Sequence, residues 1–278
     1  MVQRTDTRAL ARQMSAFVPN VDERLPEWAR RSNPVVRRQL GAYWKTIPPQ
    51  AEPIIRLYLL QMALVVISIP LPFLLDISII LVMVSIIVIP VLFYMYGRLL
   101  LGIIIDSSTA MATELSNNTL HLLLTTPLSR RSIYLGKVAA SMWRQMDDLS
   151  IIILMLALFN TPPIVLQYLN FWPVDEYGFL PHVAVMLGTG AALIRMIIEP
   201  FMVGAFGVML GAALGLRGVA IMATISLTVF YFLFINLIRY IAMIWPLQLV
   251  VDFVLPVALP VILTWACLRF TDHLLTRD

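Results

Sequence analysis

Charge is scarce in this chain. Of its 278 residues only 13% are Asp, Glu, Lys or Arg, against 60% hydrophobic, and the mean hydropathy is +0.85. A soluble domain carries roughly 25% charged residues. A deficit of that size excludes a water-soluble globular protein and requires a chain that lives in lipid. Cysteine is scarcer still. Cys267 stands alone in an apolar run, which excludes an intramolecular disulfide framework and any CxxC metal or redox pair. Histidine is limited to His121, His182 and His273, with no HExxH spacing, so no metal or haem site is expected. No G-x-S-x-G stretch or Ser/His/Asp arrangement suggests a hydrolase, and an intramembrane enzyme lacks paired catalytic residues. There is no internal repeat and no low-complexity tract. The first fifty-odd residues lack the apolar core of a secretory signal, so the first span is expected to act as its own insertion signal.

What is present is a series of apolar runs at about 57–75, 77–105, 149–169, 181–216, 219–238 and 246–268. A span needs about 20 residues to cross a ~30 Å hydrocarbon core. The expected fold is therefore an all-α integral membrane protein with six transmembrane helices. Asp76 is expected in a very tight turn between the first two, and Pro90 interrupts the second. A short loop, "NFWPVDEYGF", follows the third. The fourth run is awkward: as a single helix it would reach over ~50 Å, and it contains Arg195, Glu199 and Pro200. It is either one long kinked helix or two half-helices of a re-entrant hairpin.

Charge placement separates these choices. The net charge is +4. With one crossing over 181–216, the N-terminus, residues 106–148, Arg217 and the C-terminal tail share a side. All Lys and Arg except Arg195 and Arg239 then fall on that side or at its interface. By the positive-inside rule that side is the cytoplasm. The expectation is a multi-pass protein of the cytoplasmic membrane with both termini cytoplasmic.

Residues 1–56 form a basic cytoplasmic lead to a transmembrane domain over 57–278. Arg4, Arg8 and Arg12, spaced by four beside Leu10, Met14 and Phe17, suggest a basic amphipathic helix. The stretch "RRSNPVVRRQLGAYWK" predicts an interfacial helix over 33–46, with Asn33 as N-cap, Pro34 at its first position, and Tyr43 and Trp44 at the lipid–water boundary. Membrane lipids, not nucleic acid, are the expected partners of this lead.

Residues 106–148 are too long for a plain turn and too short for an independent domain. Within them lies "ELSNNTLHLLLTTPLSRRSIYLGK", positions 114 to 137. Leu115, Leu120, Leu122, Leu123, Leu124 and Leu128 would give a short helix an apolar face. Thr126 can cap a turn that Pro127 opens. Ser129 can equally cap a following helix that runs through Arg130, Arg131 and Lys137 into the third span. A short cytoplasmic helix held between two spans is suited to pass a push from a soluble partner to the bundle.

This segment resembles the signature loop of the type-2 ABC transporter permeases. The resemblance rests on Glu114, Thr119, Leu120, Leu122, Leu123, Leu124, Thr126, Pro127, Leu128, Ser129, Arg130, Gly136 and Lys137, and "NPVVRRQL" resembles the lead into the first span of such permeases. Asn118 stands where the family often has Gly, and Asn tolerates left-handed backbone. His121 stands where an acidic residue is common. The resemblance implies half of an exporter-like transmembrane pathway, paired with a second permease copy or a paralogue. It implies a coupling helix that docks on a separate ATP-binding cassette ATPase subunit through Glu114, Thr119, Leu120, Leu123, Thr126, Pro127, Arg130 and Arg131. ATP and Mg would be bound by that partner. No cofactor is expected in the chain itself, and the absence of G-x-x-x-x-G-K-[ST] agrees that the ATPase lies elsewhere. In "RRSIYLGKV", Arg131 and Val138 replace the required glycine and hydroxyl residue. A non-transporting membrane scaffold would use the same loop only as an assembly surface.

Two further groups stand out. Arg195 and Glu199 are four apart on one helical face inside an apolar run. They form either a self-satisfied ion pair or a substrate or gating contact. Gly207, Gly211 and Gly215 form two overlapping GxxxG patterns that serve packing within the chain or a subunit interface. Asp147 and Asp148, just before the third span, read as a solvated helix end.

Overall fold

The structure is a computed structural model that describes residues 25–41, 51–71, 73–120, 123, 125–239, 241 and 244–274. Every element among the described residues is helical. The amphipathic segment around Arg4, Arg8 and Arg12 lies outside them, as do Tyr43 and Trp44.

A 3-10 turn, Glu27–Ala29, precedes α1, Pro34–Leu40. The Asn33 side chain accepts the Val35 N–H at 2.9 Å, and Pro34, with no N–H to lose, opens the helix. Gly41, at φ 57°, ends it. The apolar side of α1 (Val35, Val36, Leu40) is covered by protein, chiefly by α4 (below), and is not left to face a membrane surface.

Helix α2 is Ala51–Ile67 and α3 is Phe73–Ser116. The turn between them falls at 68–71, and Asp76 lies inside α3. The physical reason is proline: Pro70 cannot donate to a helix, and Leu71 precedes Pro72, which disfavours helical backbone. Helix α3 also outruns the sequence expectation. It continues from 105 to Ser116 because "DSSTAMATELS" lacks Gly and Pro, and Ser107 satisfies its hydroxyl on the Ile103 carbonyl at 2.7 Å.

Helix α4 is Arg130–Arg144, α5 is Met146–Phe159 and α6 is Thr161–Phe171. The last two are one apolar run bent by 46° at Asn160, before Pro162 and Pro163. Neighbouring side chains take up carbonyls at the break. Gln61 Nε2 donates to Ala157 O at 2.6 Å, and Ser85 Oγ donates to Phe159 O at 2.9 Å. A broken helix is tolerated in lipid when it is satisfied this way. A short α7, Val174–Tyr177, leads to α8, Leu180–Leu214, then α9, Arg217–Arg239. Helix α10, Trp245–Leu249, passes through a π turn, Val250–Val254, into α11, Leu255–Leu274.

Among the described residues, four stretches are long and apolar enough to cross a membrane: Val82–Ser116, Leu180–Leu214, Arg217–Arg239 and Trp245–Leu274. The bent α5–α6 pair makes a fifth if it counts as one span. The expected first span appears as the shorter apolar helix Ile54–Ile67. Outward side chains such as Ile87 (75% exposed) and Phe93 (71%) are apolar, as a lipid-facing surface requires. The run 181–216 forms one helix through Pro200 as far as Leu214, with no hairpin. Its excess length has a partner: α3 and α8 both exceed the ~30 Å hydrocarbon thickness and pack along each other.

Helix α8 is central, packed on α3, α4, α9 and α11. Gly207 lies against Ser107 and Ser108, and Gly211 against the Ser108 carbonyl and Met111. Both glycines therefore face α3 of the same chain. Gly215 does something different: at φ 61° it caps α8, its N–H bonded to the Gly211 carbonyl. A Cβ on Gly211 would sit 2.8 Å from Ser108 O and 2.9 Å from Met111 Cβ. Gly211→Ala is expected to cost ~1–3 kcal/mol by overpacking. Thermal unfolding in detergent reads this, with Gly218→Ala as a control whose added Cβ meets nothing within 4 Å.

One end of the bundle gathers the charge-rich segments. Trp143 Nε1 donates to Ala29 O at 2.9 Å, Arg217 Nε to Thr109 Oγ1 at 3.1 Å, and Arg130 pairs with Asp272 at 3.9 Å. The N-terminal segment, the α3–α4 connection, the start of α9 and the end of α11 thus share that end.

Candidate functional site

The first candidate site is the connection between α3 and α4. Helix α3 stops in a Schellman motif. Thr119 N–H bonds to Glu114 O at 3.0 Å, Asn118 N–H bonds to Leu115 O at 3.1 Å, and Asn118 takes the left-handed conformation at φ 54°. Asn supplies here what Gly would supply. Leu120 and Leu123 then turn inward and are buried in the main core, with Leu115 and Leu128 packed against it. Thr126 points backward, its hydroxyl bonded to Leu123 O at 2.6 Å. Ser129, not Thr126, caps α4, accepting the Ser132 N–H at 3.2 Å.

The two ends of this segment meet. Glu114 Oε2 accepts a hydrogen bond from Lys137 Nζ, which also reaches Ala110 O at 3.4 Å. The Lys137 side chain is fully buried and that of Glu114 is 13% exposed. Burial draws the Lys137 pKa below its ordinary 10.5, and Glu114 draws it partly back. The adjoining Gly136 lets α1 approach: a Cβ there would lie 3.3 Å from Val35. Tyr134, one turn earlier, is buried with its hydroxyl unpartnered among the described residues. Burial, and then nearby Asp272, push it up to about 12. Arg144 secures the far end of α4 on Asp106 at 2.8 Å and on Gln39 O at 2.6 Å. What the clamped segment leaves outward is Asn117, Asn118, Thr125, Pro127, Ser129, Arg130 and Arg131, all exposed.

The second candidate site is a cavity of about 620 Å³ between α3, the α5–α6 bend, α8, α9 and the π turn. Arg195 and Glu199 line it as an ion pair at 2.7 Å. Glu199 has two further donors: Oε1 also accepts from Tyr231 at 3.1 Å, and Oε2 accepts from Tyr96 at 2.9 Å. A second pair lines the same cavity, with Arg239 Nε on Asp252 Oδ1 at 3.2 Å and Arg239 Nη2 on Asp252 O at 3.1 Å. The sequence reading found Arg195 and Glu199 but missed Tyr96, Tyr231 and Asp252. Asp252 carried a usable signal, as the lone acid in the apolar run 246–268.

A model of the ABC-2 family transporter proteins matches residues 10–255. The chain belongs to the ABC-2 transporter family. It is a membrane permease of the type-2 ABC class, a transport subunit without catalysis of its own. Neither the curated proteins nor the solved structures gave a match. In this ABC-2 permease the family-like residues Glu114, Gly136 and Lys137 act on the chain's own packing, whereas Pro127, Arg130 and Arg131 face outward. His121, Leu122 and Leu124 lie outside the described residues. His182 is buried near the start of α8, with neither ring nitrogen hydrogen-bonded among the described residues. Among the described residues no three His, Cys, Asp or Glu side chains group as metal ligands. Asp148 pairs with Arg98 at 3.9 Å.

Proposed function

We propose that this ABC-2 permease is half of an ATP-driven, exporter-like pathway, and that residues 117–131 dock on a separate ATP-binding cassette subunit. ATP and Mg are held by that subunit. The permease lies in the cytoplasmic membrane with the α4 end inside, so that both termini are cytoplasmic. It crosses six times, with α2 and the bent α5–α6 pair each counted once, and pairs with a second copy or a paralogue.

The observation that carries the coupling is the clamp. A segment closed by Glu114 and Lys137, and anchored by Leu120 and Leu123, cannot yield independently of α3 and α4. A push on Pro127, Arg130 or Arg131 is therefore delivered to both helices, and through α3 to α8. Gathering of the basic segments at this end supports its cytoplasmic side. Leu120 and Leu123 hold the segment to its own bundle; the exposed Pro127 and the two arginines would touch the partner.

The test is a mild-detergent pull-down of the tagged chain with an ATPase assay on the eluate. An ATP-hydrolysing partner should copurify. The double variant Arg130→Glu, Arg131→Glu should reduce that partner about tenfold, since like charges across a docking surface cost on the order of 1.4 kcal/mol or more, without changing the permease's own elution profile. A permease that purifies with no ATPase at all would turn the segment into an assembly surface of a scaffold.

A further inference from the structure

The cavity between the two ion pairs has the make-up of a ligand site. Its ~620 Å³ lies within the roughly 300–1,000 Å³ of small-molecule pockets. Leu92, Ile152, Leu156 and Phe232 give it mainly apolar walls, and a few polar groups are set among them. That combination suits a molecule with an apolar body and one polar end.

The free hydrogen-bonding capacity indicates which polar end. Glu199 accepts from Arg195, Tyr96 and Tyr231, so it has little left to offer a ligand cation. Arg195 directs Nε and Nη2 at Glu199, and among the described residues its Nη1 has no hydrogen-bond partner. Arg239 directs Nε and Nη2 at Asp252, and among the described residues its Nη1 likewise has no hydrogen-bond partner. Two guanidinium groups thus line one cavity, each held rigid by a carboxylate and each with donors unspent. Such donors suit an anionic oxygen, whose hydrogen bonds with a guanidinium are charge-assisted.

Position agrees with this chemistry. Arg195 lies ~22 Å along α8 from its first residue, deep in the bundle. Arg239 and Asp252 sit where α9 ends and the π turn begins. The helix is interrupted at Asp252 by π geometry, which recurs at functional sites. Gln167 and Asn236, both exposed and both lining the cavity, add neutral amides.

We infer that this cavity binds a single-chain amphiphile whose headgroup carries a phosphate or carboxylate. That this amphiphile is cargo rests on the permease reading; that it binds does not. A volume of about 620 Å³ suits one acyl chain beside a headgroup.

The test is equilibrium binding of radiolabelled lauroyl lysophosphatidic acid to the full chain in a sterol-based non-ionic detergent. Unlabelled laurate, monolauroylglycerol and inorganic phosphate serve as competitors. Saturable binding at one site per chain is expected. Laurate should compete, and monolauroylglycerol, with the same chain and no charge, should compete about tenfold more weakly. Ala192→Phe, which fills the cavity from α8, should weaken binding about tenfold or more. Equal competition by the neutral amphiphile, or undiminished binding to folded Ala192→Phe, overturns the inference, as does the absence of saturable binding. Competition by inorganic phosphate as strong as by laurate would make the ligand a free anion and also overturn it. The competition arm needs no variant, so a misfolded mutant cannot hide the outcome. Failure here leaves the ATPase pull-down untouched, and the reverse also holds.

Discussion

Glu114→Gln is expected to destabilise the bundle by ~3–5 kcal/mol, the cost of leaving a buried charge without its partner. Lys137 is fully buried on α4, and among the described residues its amine reaches only Glu114 and the Ala110 carbonyl. The neutral amide left behind cannot balance an ammonium in that setting. Thermal unfolding of the purified chain in detergent measures the loss. The pH dependence carries a sign. Lys137 has a folded pKa below its ordinary 10.5, so stability rises with pH between the folded and the unfolded value. In Glu114→Gln the upward pull of the carboxylate is gone and that window widens downward. The deficit against the wild type should therefore shrink as pH is raised from about 7 to about 10. A deficit that is small, or constant over this range, would show that the pair does not hold the segment. Replacing both partners, Glu114→Leu with Lys137→Met, is expected to restore much of the stability, because apolar residues of similar size often replace a buried pair at little cost.

The second large effect is expected at Glu199. Glu199→Ala removes the acceptor of three donors at once and leaves Arg195 facing the cavity as an unpaired cation, with two orphaned tyrosine hydroxyls. Loss of one member of a buried pair costs ~3–5 kcal/mol, and each orphaned hydroxyl adds about 1–3 kcal/mol. A total near the whole stability of an ordinary domain, about 5–15 kcal/mol, predicts failure to accumulate as a monodisperse species on size-exclusion chromatography. Arg195→Met with Glu199→Gln keeps an acceptor for Tyr96 and Tyr231 while removing both charges. It should recover folded protein. Normal yield of Glu199→Ala would show that the network is dispensable for folding.

The contrast between these two sites shows what was legible beforehand. Arg195 and Glu199 stand four apart in a helical run, so their pairing follows from one helix and its period. Tyr96 and Tyr231 reach the same carboxylate from α3 and α9, and no spacing in the chain announces that meeting. Glu114 and Lys137 both belong to a family-like motif, but their contact needs α4 to fold back on the end of α3. The GxxxG pattern predicted close approach and left the partner open. Tertiary packing assigned Gly207 and Gly211 to α3, and backbone geometry made Gly215 a helix cap. Hydropathy missed the end of α3 because it measures affinity for lipid. The polar turns after Asp106 are still helical, but they pack on protein.

By itself, the sequence determined the solvent, the all-helical class and the family. A chain so poor in charge and so rich in apolar runs must close its backbone hydrogen bonds within helices, because lipid offers none. Its local signals set helix ends correctly at Asn33 and Pro34, and offered Asn118 as a left-handed stop and Ser129 as one of two caps. Those effects act over a few residues, so they can be read along the chain. Only the tertiary structure decided which buried charges meet, which glycines touch which helix, that the run 181–216 forms one continuous helix as far as Leu214, and that Leu120 and Leu123 of the α3–α4 segment point inward. Each of these depends on residues far apart in the chain, and the energy that selects among the alternatives appears only when helices pack.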